Sequence, residues 1–193
     1  LHYPLRRQRQ MCIRDRLKIM ITIISGTNRQ NSVSAKVAHL YQSLLTQHQV
    51  ESNIIDLADL PKDFVYTALY ENNGKNPEFN TFLEQLRASD KYVFIIPEYN
   101  GSFPGVLKAF IDGMEYPNSF QNKKCALVGI SSGMQGAGLA LSHITDIFNY
   151  LGMNVLALKP KLARIENNFD GQEVTDKLYS QLLEEQVKKL LEF

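Results

Sequence analysis

The sequence has few cysteines, no excess of either charge and no long hydrophobic run. Its two cysteines, Cys12 and Cys125, provide no intramolecular disulfide framework, which is typical of a protein from a reducing cytosol. No apolar run approaches the ~20 residues that a membrane-spanning helix needs. A formal charge of +1 lacks the basic excess usual in nucleic-acid-binding proteins. We therefore expect a cytoplasmic protein that binds neither membranes nor nucleic acid.

The first nineteen residues differ in composition from the rest of the chain. They contain six basic residues and a single acid, Asp15. Such an Arg-rich, acid-poor stretch suits a targeting peptide, but it has few serines and no apolar core. We favour a non-native or mis-assigned extension over residues 1–19, with Met20 as the start of one domain over residues 20–193. That domain has 15 basic and 19 acidic residues, a formal charge of −4.

From Met20 onward, short apolar runs alternate with longer segments of helical period, which is typical of βαβ units. The runs predict five strands, at residues 20–25, 50–56, 91–96, 124–130 and 154–158. This alternation favours an α/β fold, a doubly wound parallel sheet of order 2-1-3-4-5 between two helical layers. In such a sheet the ligand crevice opens beyond the carboxyl ends of strands 1 and 3. We therefore expect the function in the residues that follow those two strands.

Five helices are predicted around the sheet. The first begins near residue 31 or 32, the second at Asn76-Pro77-Glu78, the third near residue 104 and the fourth near residue 138. The first and last helices have periodic apolar residues, which are Val33, Val37, Leu40 and Leu44, and Val174, Leu178, Leu182, Val187 and Leu190. The segment 60–75 has few helix signals, and three placements stay open for it: over the site, against a second subunit, or in the core.

The loop after strand 1 is rich in hydrogen-bond donors. Residues 26–34, GTNRQNSVS, combine hydroxyls, amides and one guanidinium before a helix N-terminus. Free N–H groups and the helix dipole favour an anion there, and the side chains add further donors. A plain helix cap is the alternative for any one of these residues. Because the loop matches neither dinucleotide-binding nor P-loop motifs, we expect it to bind a mononucleotide phosphate.

The loop after strand 3, PEYNGSFPG at residues 97–105, predicts a tight, rigid turn. Such a turn presents backbone donors to a planar ring, which Tyr99 could stack against while Asn100 and Ser102 bind its edge. An ordinary turn into the third helix is the alternative, and turn chemistry does not decide between them.

Together, GTNRQNSVS and PEYNGSFPGVLKAFIDG resemble the NADPH-dependent FMN reductase family of flavodoxin-like quinone, azo and chromate reductases. The resemblance in element order runs from Met20 to the C-terminus. It implies phosphate contacts from Thr27, Arg29, Ser32 and Ser34, and isoalloxazine contacts from Pro97, Glu98, Tyr99, Asn100, Gly101 and Ser102. Residues 131–138 resemble the Ser/Gly-rich loop on the other side of the flavin, which adds Ser131 and Gly133. Three glycines before a helix also fit a simple tight turn.

The resemblance implies FMN as cofactor, NADPH or NADH as co-substrate, and a homodimer or homotetramer. Quinones, free flavin, azo compounds and metal oxyanions remain open as the small electron acceptor. The sequence departs from the family pattern at Thr27, where Ser is common, and at Gly113, where a bulky aromatic is common. Since the flavin N5 would carry the chemistry, no catalytic side chain is expected.

Histidines and carboxylates form no cluster with recognisable metal-ligand spacing, so no metal site is expected. His39, His48 and His143 fall within or beside helices, and we expect structural or surface roles for them. A flavodoxin-type electron carrier is the alternative function, against which the weak charge of the domain argues because steering to a protein partner uses a stronger field. A receiver domain lacks support, since Ile96-Pro97-Glu98 stands where its phospho-accepting Asp would be.

Overall fold

The computed structural model describes residues 19–116 and 119–193. Residues 1–18 of the predicted extension lie outside that range, so the extension remains an expectation. The strands are β1 Met20–Ser25, β2 Glu51–Asp56, β3 Lys91–Pro97, β4 Lys124–Ile130, β5 Asn154–Val155 and β6 Lys161–Leu162. The helices are α1 Val33–Gln47, α2 Phe64–Thr67, α3 Pro77–Arg87, α4 Gly105–Asp112, α5 Gly138–Tyr150, α6 Ile165–Asn168 and α7 Lys177–Glu192.

The strands form one parallel sheet of order β2-β1-β3-β4-β5, which confirms the predicted order. Successive residues of the central strands face opposite sides. Ile23 and Val93 pack with α1 and α7 on one side, whereas Ile24 and Phe94 pack with α3, α4 and α5 on the other. The sheet therefore lies between two helical layers, each with its own apolar core.

The fifth strand is shorter than predicted. β5 ends at Val155, and the chain leaves the sheet until β6, which also pairs with β4. The carbonyl of Leu158 accepts a hydrogen bond from the Gln186 side chain at 2.8 Å instead of joining the ladder. Pro160 has no N–H to donate, although its carbonyl accepts from the Gly129 N–H at 2.9 Å. A side chain from α7 and a proline thus divide the predicted strand 154–158 from its continuation.

Helix α1 buries a face that is rotated from the predicted one. Its buried residues are Ser34, Val37, Ala38, Tyr41 and Leu45. Of the four residues predicted to form the buried face, only Val37 is fully buried, and Val33, Leu40 and Leu44 flank the core in partly buried positions. The rotation brings the Tyr41 hydroxyl to Gln186 of α7, a contact that apolar spacing does not reveal.

The last helix begins later than its apolar spacing suggested. Asp176 caps α7 by accepting a hydrogen bond from the Tyr179 N–H at 3.0 Å. Val174 consequently lies before the helix, where it forms an isolated bridge with Phe169. Leu178 is 59% exposed, and the buried face consists of Leu183, Gln186, Val187 and Leu190.

The segment 57–75 runs from the end of β2 to α3 and contributes to the core. Phe64, Ala68 and Leu69 are buried in the cluster that contains α4. Asn73 donates from Nδ2 to the Gly113 carbonyl at 3.3 Å, just past the C-terminal end of α4. Of the three placements open for this segment, core packing is the one observed in these contacts.

Within the described ranges, no helix is long and apolar enough to cross a membrane. Cys125 is buried within β4, and burial raises the pKa of its thiol. Because the thiolate is the reactive form, this thiol is unreactive at neutral pH. The interpretation of Cys125 as a small buried strand residue is confirmed.

A buried polar network ties α1 and α7 to the sheet. Gln186 is fully buried and donates from Nε2 to the carbonyls of Leu127 and Leu158 at 2.9 and 2.8 Å. Its Oε1 accepts from the Tyr41 hydroxyl at 3.1 Å, and burial raises the pKa of Tyr41. One amide thus binds three polar groups from three parts of the chain, and two of these hydrogen bonds are buried.

We predict that Gln186→Leu lowers the free energy of unfolding by about 2–4 kcal/mol, because it leaves these buried polar groups without a partner. Urea unfolding followed by circular dichroism measures the change. The matched variant Tyr41→Phe removes a single hydrogen bond and should cost about 1 kcal/mol. Equal effects of the two variants would contradict a central role for the amide.

Candidate functional site

A cavity of about 320 Å³ opens at the carboxyl ends of β1, β3 and β4. This is the position that the sheet order predicts, and the volume is typical of small-ligand sites. The cavity is lined by Thr27, Arg29, Gln30, Asn31, Ser32, Val33, Ser34, Pro97, Glu98, Tyr99, Ile130, Ser131, Ser132, Ile165 and Glu166.

The first wall is the loop between β1 and α1. The Gly26 N–H donates to the Ile95 carbonyl at 2.9 Å, and a Cβ at Gly26 would lie 2.9 Å from that oxygen. Only glycine therefore lets the loop leave β1 so close to β3. Ser32 caps α1 by accepting from the Ala35 N–H at 3.0 Å, which leaves its hydroxyl proton available to a ligand. The N–H groups of the first helical turn have no intrahelical acceptor.

The second wall is the loop between β3 and α4, which contains a two-residue turn. Tyr99 and Ser102 exchange both backbone hydrogen bonds, at 2.7 and 3.0 Å. Asn100 and Gly101 between them have φ values of +52° and +75°. Positive φ at both central residues is the geometry of a type I′ turn, for which Asn-Gly is the preferred pair. The tight, rigid turn expected from the sequence is present.

A side-chain hydrogen bond joins the two walls. The hydroxyls of Thr27 and Tyr99 lie 2.7 Å apart, and Thr27 is almost completely buried. The Arg29 N–H also donates to Thr27 Oγ1, at 3.4 Å. Tyr99 therefore points its hydroxyl at the β1 loop, and this hydrogen bond links the two loops to one another.

The third wall combines the loop after β4 with α6. The Ser131 hydroxyl donates to the Gly133 carbonyl at 2.9 Å, and that carbonyl also accepts from the Arg164 N–H at 2.9 Å. The Ser132 hydroxyl donates to Glu166 Oε1 at 3.3 Å. Gly136 has φ +56°, and its α-carbon packs so closely on Lys161 that a Cβ would lie 2.6 Å from the Lys161 Cβ. Close packing accounts for this glycine.

The cavity brings together eight of the twelve residues predicted for the site, which are Thr27, Arg29, Ser32, Ser34, Pro97, Glu98, Tyr99 and Ser131. Asn100, Gly101, Ser102 and Gly133 lie outside its lining. The first three form the turn at its rim, and Gly133 contributes its carbonyl to the third wall. Their roles toward a ligand remain predictions.

Two lining residues, Ile165 and Glu166, lie outside all of the strands and loops that the sequence analysis singled out. They follow Arg164, whose φ of +47° is unusual for a residue other than glycine. Nothing in the local pattern of residues 160–170 places them at the carboxyl end of β1. They reach the cavity because β6 returns to β4 and directs α6 there.

The cavity has an uneven charge distribution. Arg29 is the basic residue of the lining, and Glu98 and Glu166 are its acidic residues. Among the described residues, no group of three or more His, Cys, Asp or Glu side chains is arranged to hold a metal ion. One end of the cavity therefore offers hydroxyl and guanidinium donors, and two carboxylates elsewhere in the lining offer acceptors.

The comparisons with known proteins agree with this arrangement. The family model for NADPH-dependent FMN reductase matches residues 19–160. An NAD(P)H-dependent FMN reductase from Pseudomonas aeruginosa is 33% identical over 141 residues, which are 70% of this chain and 76% of that protein. A 2-hydroxy-1,4-benzoquinone reductase from a Burkholderia species is 29% identical over 150 residues, which are 76% of this chain and 78% of that protein.

The fold is shared with a solved structure, FerB, a flavoenzyme NAD(P)H:(acceptor) oxidoreductase from Paracoccus denitrificans. The two superpose with a TM-score of 0.73 at 23% identity, over 90% of this chain and 96% of that chain. The family match covers well over half of the sequence and includes both loops of the resemblance. The chain belongs to the NADPH-dependent FMN reductase family, as an NAD(P)H-dependent oxidoreductase with FMN as its cofactor.

Proposed function

We propose that this oxidoreductase binds FMN in the cavity between the three walls and passes reducing equivalents from NADPH or NADH to a small acceptor such as a quinone. The proposal rests on one observation: the loops after β1 and β3 line the same cavity. A 2.7 Å contact between the hydroxyls of Thr27 and Tyr99 joins these two loops. The quinone is suggested by the name of the Burkholderia relative.

The residues suit the parts of FMN. We assign the phosphate to the N-terminus of α1, where Arg29, Ser32 and Ser34 line the cavity. Helix N–H groups, hydroxyls and a guanidinium are all donors, as a phosphate dianion requires. Glu98 and Glu166 are acceptors, so we assign them to the hydroxyls of the ribityl chain.

The ring is assigned to the Asn100-Gly101 turn. Among the described residues, no hydrogen bond is made by the N–H groups of Asn100 and Gly101. These donors suit the nitrogen and carbonyl acceptors at the edge of an isoalloxazine. Ser131 and Gly133 are assigned to the opposite side of the flavin, where their wall is held by α6.

The bound flavin supplies two-electron transfer, since it accepts hydride from reduced nicotinamide and delivers electrons to an acceptor. The side chains of the site bind and orient it, and no catalytic side chain is needed. We also propose a cytoplasmic location, which the low cysteine content and the buried thiol of Cys125 support.

The first test is an absorption spectrum of the full chain mixed with FMN, desalted, and then treated anaerobically with NADPH or NADH. We expect the desalted protein to retain an absorption band at ~450 nm. This band should bleach when NADPH or NADH is added, as the band of a bound flavin does on reduction. A band that persists after both nucleotides would favour the electron-carrier alternative. Failure to retain or titrate FMN would contradict the proposed site.

Arg29→Ala should weaken FMN binding by about 10- to 100-fold, the equivalent of ~1.5–3 kcal/mol for a charged hydrogen bond. Fluorescence titration of FMN measures the dissociation constant. Arg87→Ala is the matched control, because it removes the same charge from the exposed pair of Arg87 and Glu115 at the C-terminal end of α3. Equal affinities of the two variants would place the phosphate elsewhere.

We also propose that the chain forms a homodimer through the groove between α4 and α5. This groove has a volume of about 510 Å³ and is lined by Ile111, Met114, Ile147 and Leu151 among others. Tyr116 and Tyr150 on its rim are 71% and 80% exposed. A contiguous apolar surface of this kind is typical of protein interfaces, and aromatic residues at such a site contribute strongly to binding.

Light scattering after size exclusion should give twice the mass of the chain for the wild-type protein. Tyr150→Lys should move the equilibrium toward monomer, because it places a charge on the apolar surface. Leu178→Lys, on the exposed side of α7, is the control and should leave the dimer intact. A wild-type protein that stays monomeric at micromolar concentration would overturn the dimer.

A further inference from the structure

A histidine outside the predicted site forms a hydrogen bond with the turn of residues 99–102 at the rim of the cavity. His143 lies on the exposed side of α5, and its Nδ1 is 2.9 Å from the Ser102 hydroxyl. His48, in contrast, pairs with Glu184 of α7, far along the chain from the site loops. The predicted structural or surface role for His143 did not include this contact with a loop of the site.

This contact is one of two side-chain tethers of the turn. Backbone hydrogen bonds hold Tyr99 and Ser102 to one another, but they do not fix the turn to a neighbouring element. Tyr99 ties one side of the turn to Thr27 and the β1 loop. Ser102 ties the other side to α5 through His143. The N–H groups of Asn100 and Gly101 lie between the two tethers.

We infer that His143 is a positioning residue of the flavin site, which acts through Ser102 on the turn that holds the isoalloxazine ring. This inference rests on the proposed function. In this inference, the protonation state of His143 determines whether the Ser102 hydroxyl donates its proton to His143 or keeps it available for a ligand. A purely structural anchor would leave FMN binding unaffected by its protonation state, whereas the direction of a hydrogen bond between an imidazole and a hydroxyl depends on that state.

When the neutral ring carries its proton on Nε2, protonation of the ring reverses the direction of this hydrogen bond. A neutral imidazole with its proton on Nε2 accepts at Nδ1, so Ser102 donates to it and has no proton for a ligand. A protonated imidazole donates from Nδ1, so Ser102 accepts and its own proton becomes available. Since the edge of the flavin ring is rich in acceptors, FMN should bind more tightly when His143 is protonated.

The charged groups on the helices beside His143 are few. Asp146 lies three residues further along α5, on the same side of the helix. Lys108 of α4 is neutralised by Asp112, whose carboxylate it contacts at 2.6 Å. On the turn itself, the bonding partner is the uncharged Ser102.

The test compares FMN dissociation constants of the full-length wild-type protein and of His143→Asn from about pH 5.5 to 8.5, a range that spans the histidine titration. Asparagine places a hydrogen-bonding atom near the position of Nδ1 but does not titrate. The FMN phosphate also titrates in this range, and its effect cancels in the ratio of the two constants. His39→Asn on α1 is the matched histidine control.

We expect the ratio of the two dissociation constants to change by about 3- to 10-fold between the lowest and the highest pH. The wild-type protein should gain affinity for FMN toward acid pH. The change should vanish when both proteins carry Ser102→Ala, and His39→Asn should track the wild type. If the wild-type protein binds FMN but the ratio of the two dissociation constants does not change with pH, the role of His143 is overturned and the proposed function stands. A wild-type protein that binds no FMN would overturn both.

Discussion

The parallel pairing of β1 with β3 is the constraint on which the site depends. Ser25 and Ile95 are partners at the carboxyl end of this pair, and the Gly26 N–H extends the ladder by one bond to Ile95. The chain then turns to α1 on one face of the sheet and to α4 on the other, because each strand connects to a helix in a different layer. The two loops must leave the sheet side by side, and the hydroxyls of Thr27 and Tyr99 meet across the crevice between them.

Local signals in the sequence predict the parts of this site that few residues determine. Ser32 and Asn76 cap their helices as expected, each accepting from the N–H three residues on. Asn100-Gly101 forms a type I′ turn because both residues tolerate positive φ. The order of the strands follows from the alternation of strands and helices. Each of these features depends on interactions within one element or one loop, so the sequence is sufficient to predict them.

Features that depend on distant residues were not predictable in the same way. β5 ends early because Gln186 of α7 takes the carbonyl of Leu158, and the same side chain explains the rotated face of α1 through Tyr41. The third wall depends on the return of β6 to β4, which places Glu166 beside Ser132. Apolar spacing reports which residues avoid water. This spacing does not predict which two buried polar groups will form a hydrogen bond with one another.

Gly113, where the sequence departs from the pattern of the family it resembles, lies against an aromatic ring of the core. A Cβ on Gly113 would lie 2.6 Å from the ring of Phe79, so this ring of α3 leaves no room for a side chain at position 113. That ring also stacks on Phe64 at 5.5 Å and meets the edge of Phe110 at 6.0 Å. Gly113 follows the last residue of α4, whereas the Asn100-Gly101 turn precedes its first residue. Gly113 therefore affects packing in the core at the end of α4 that lies away from this turn.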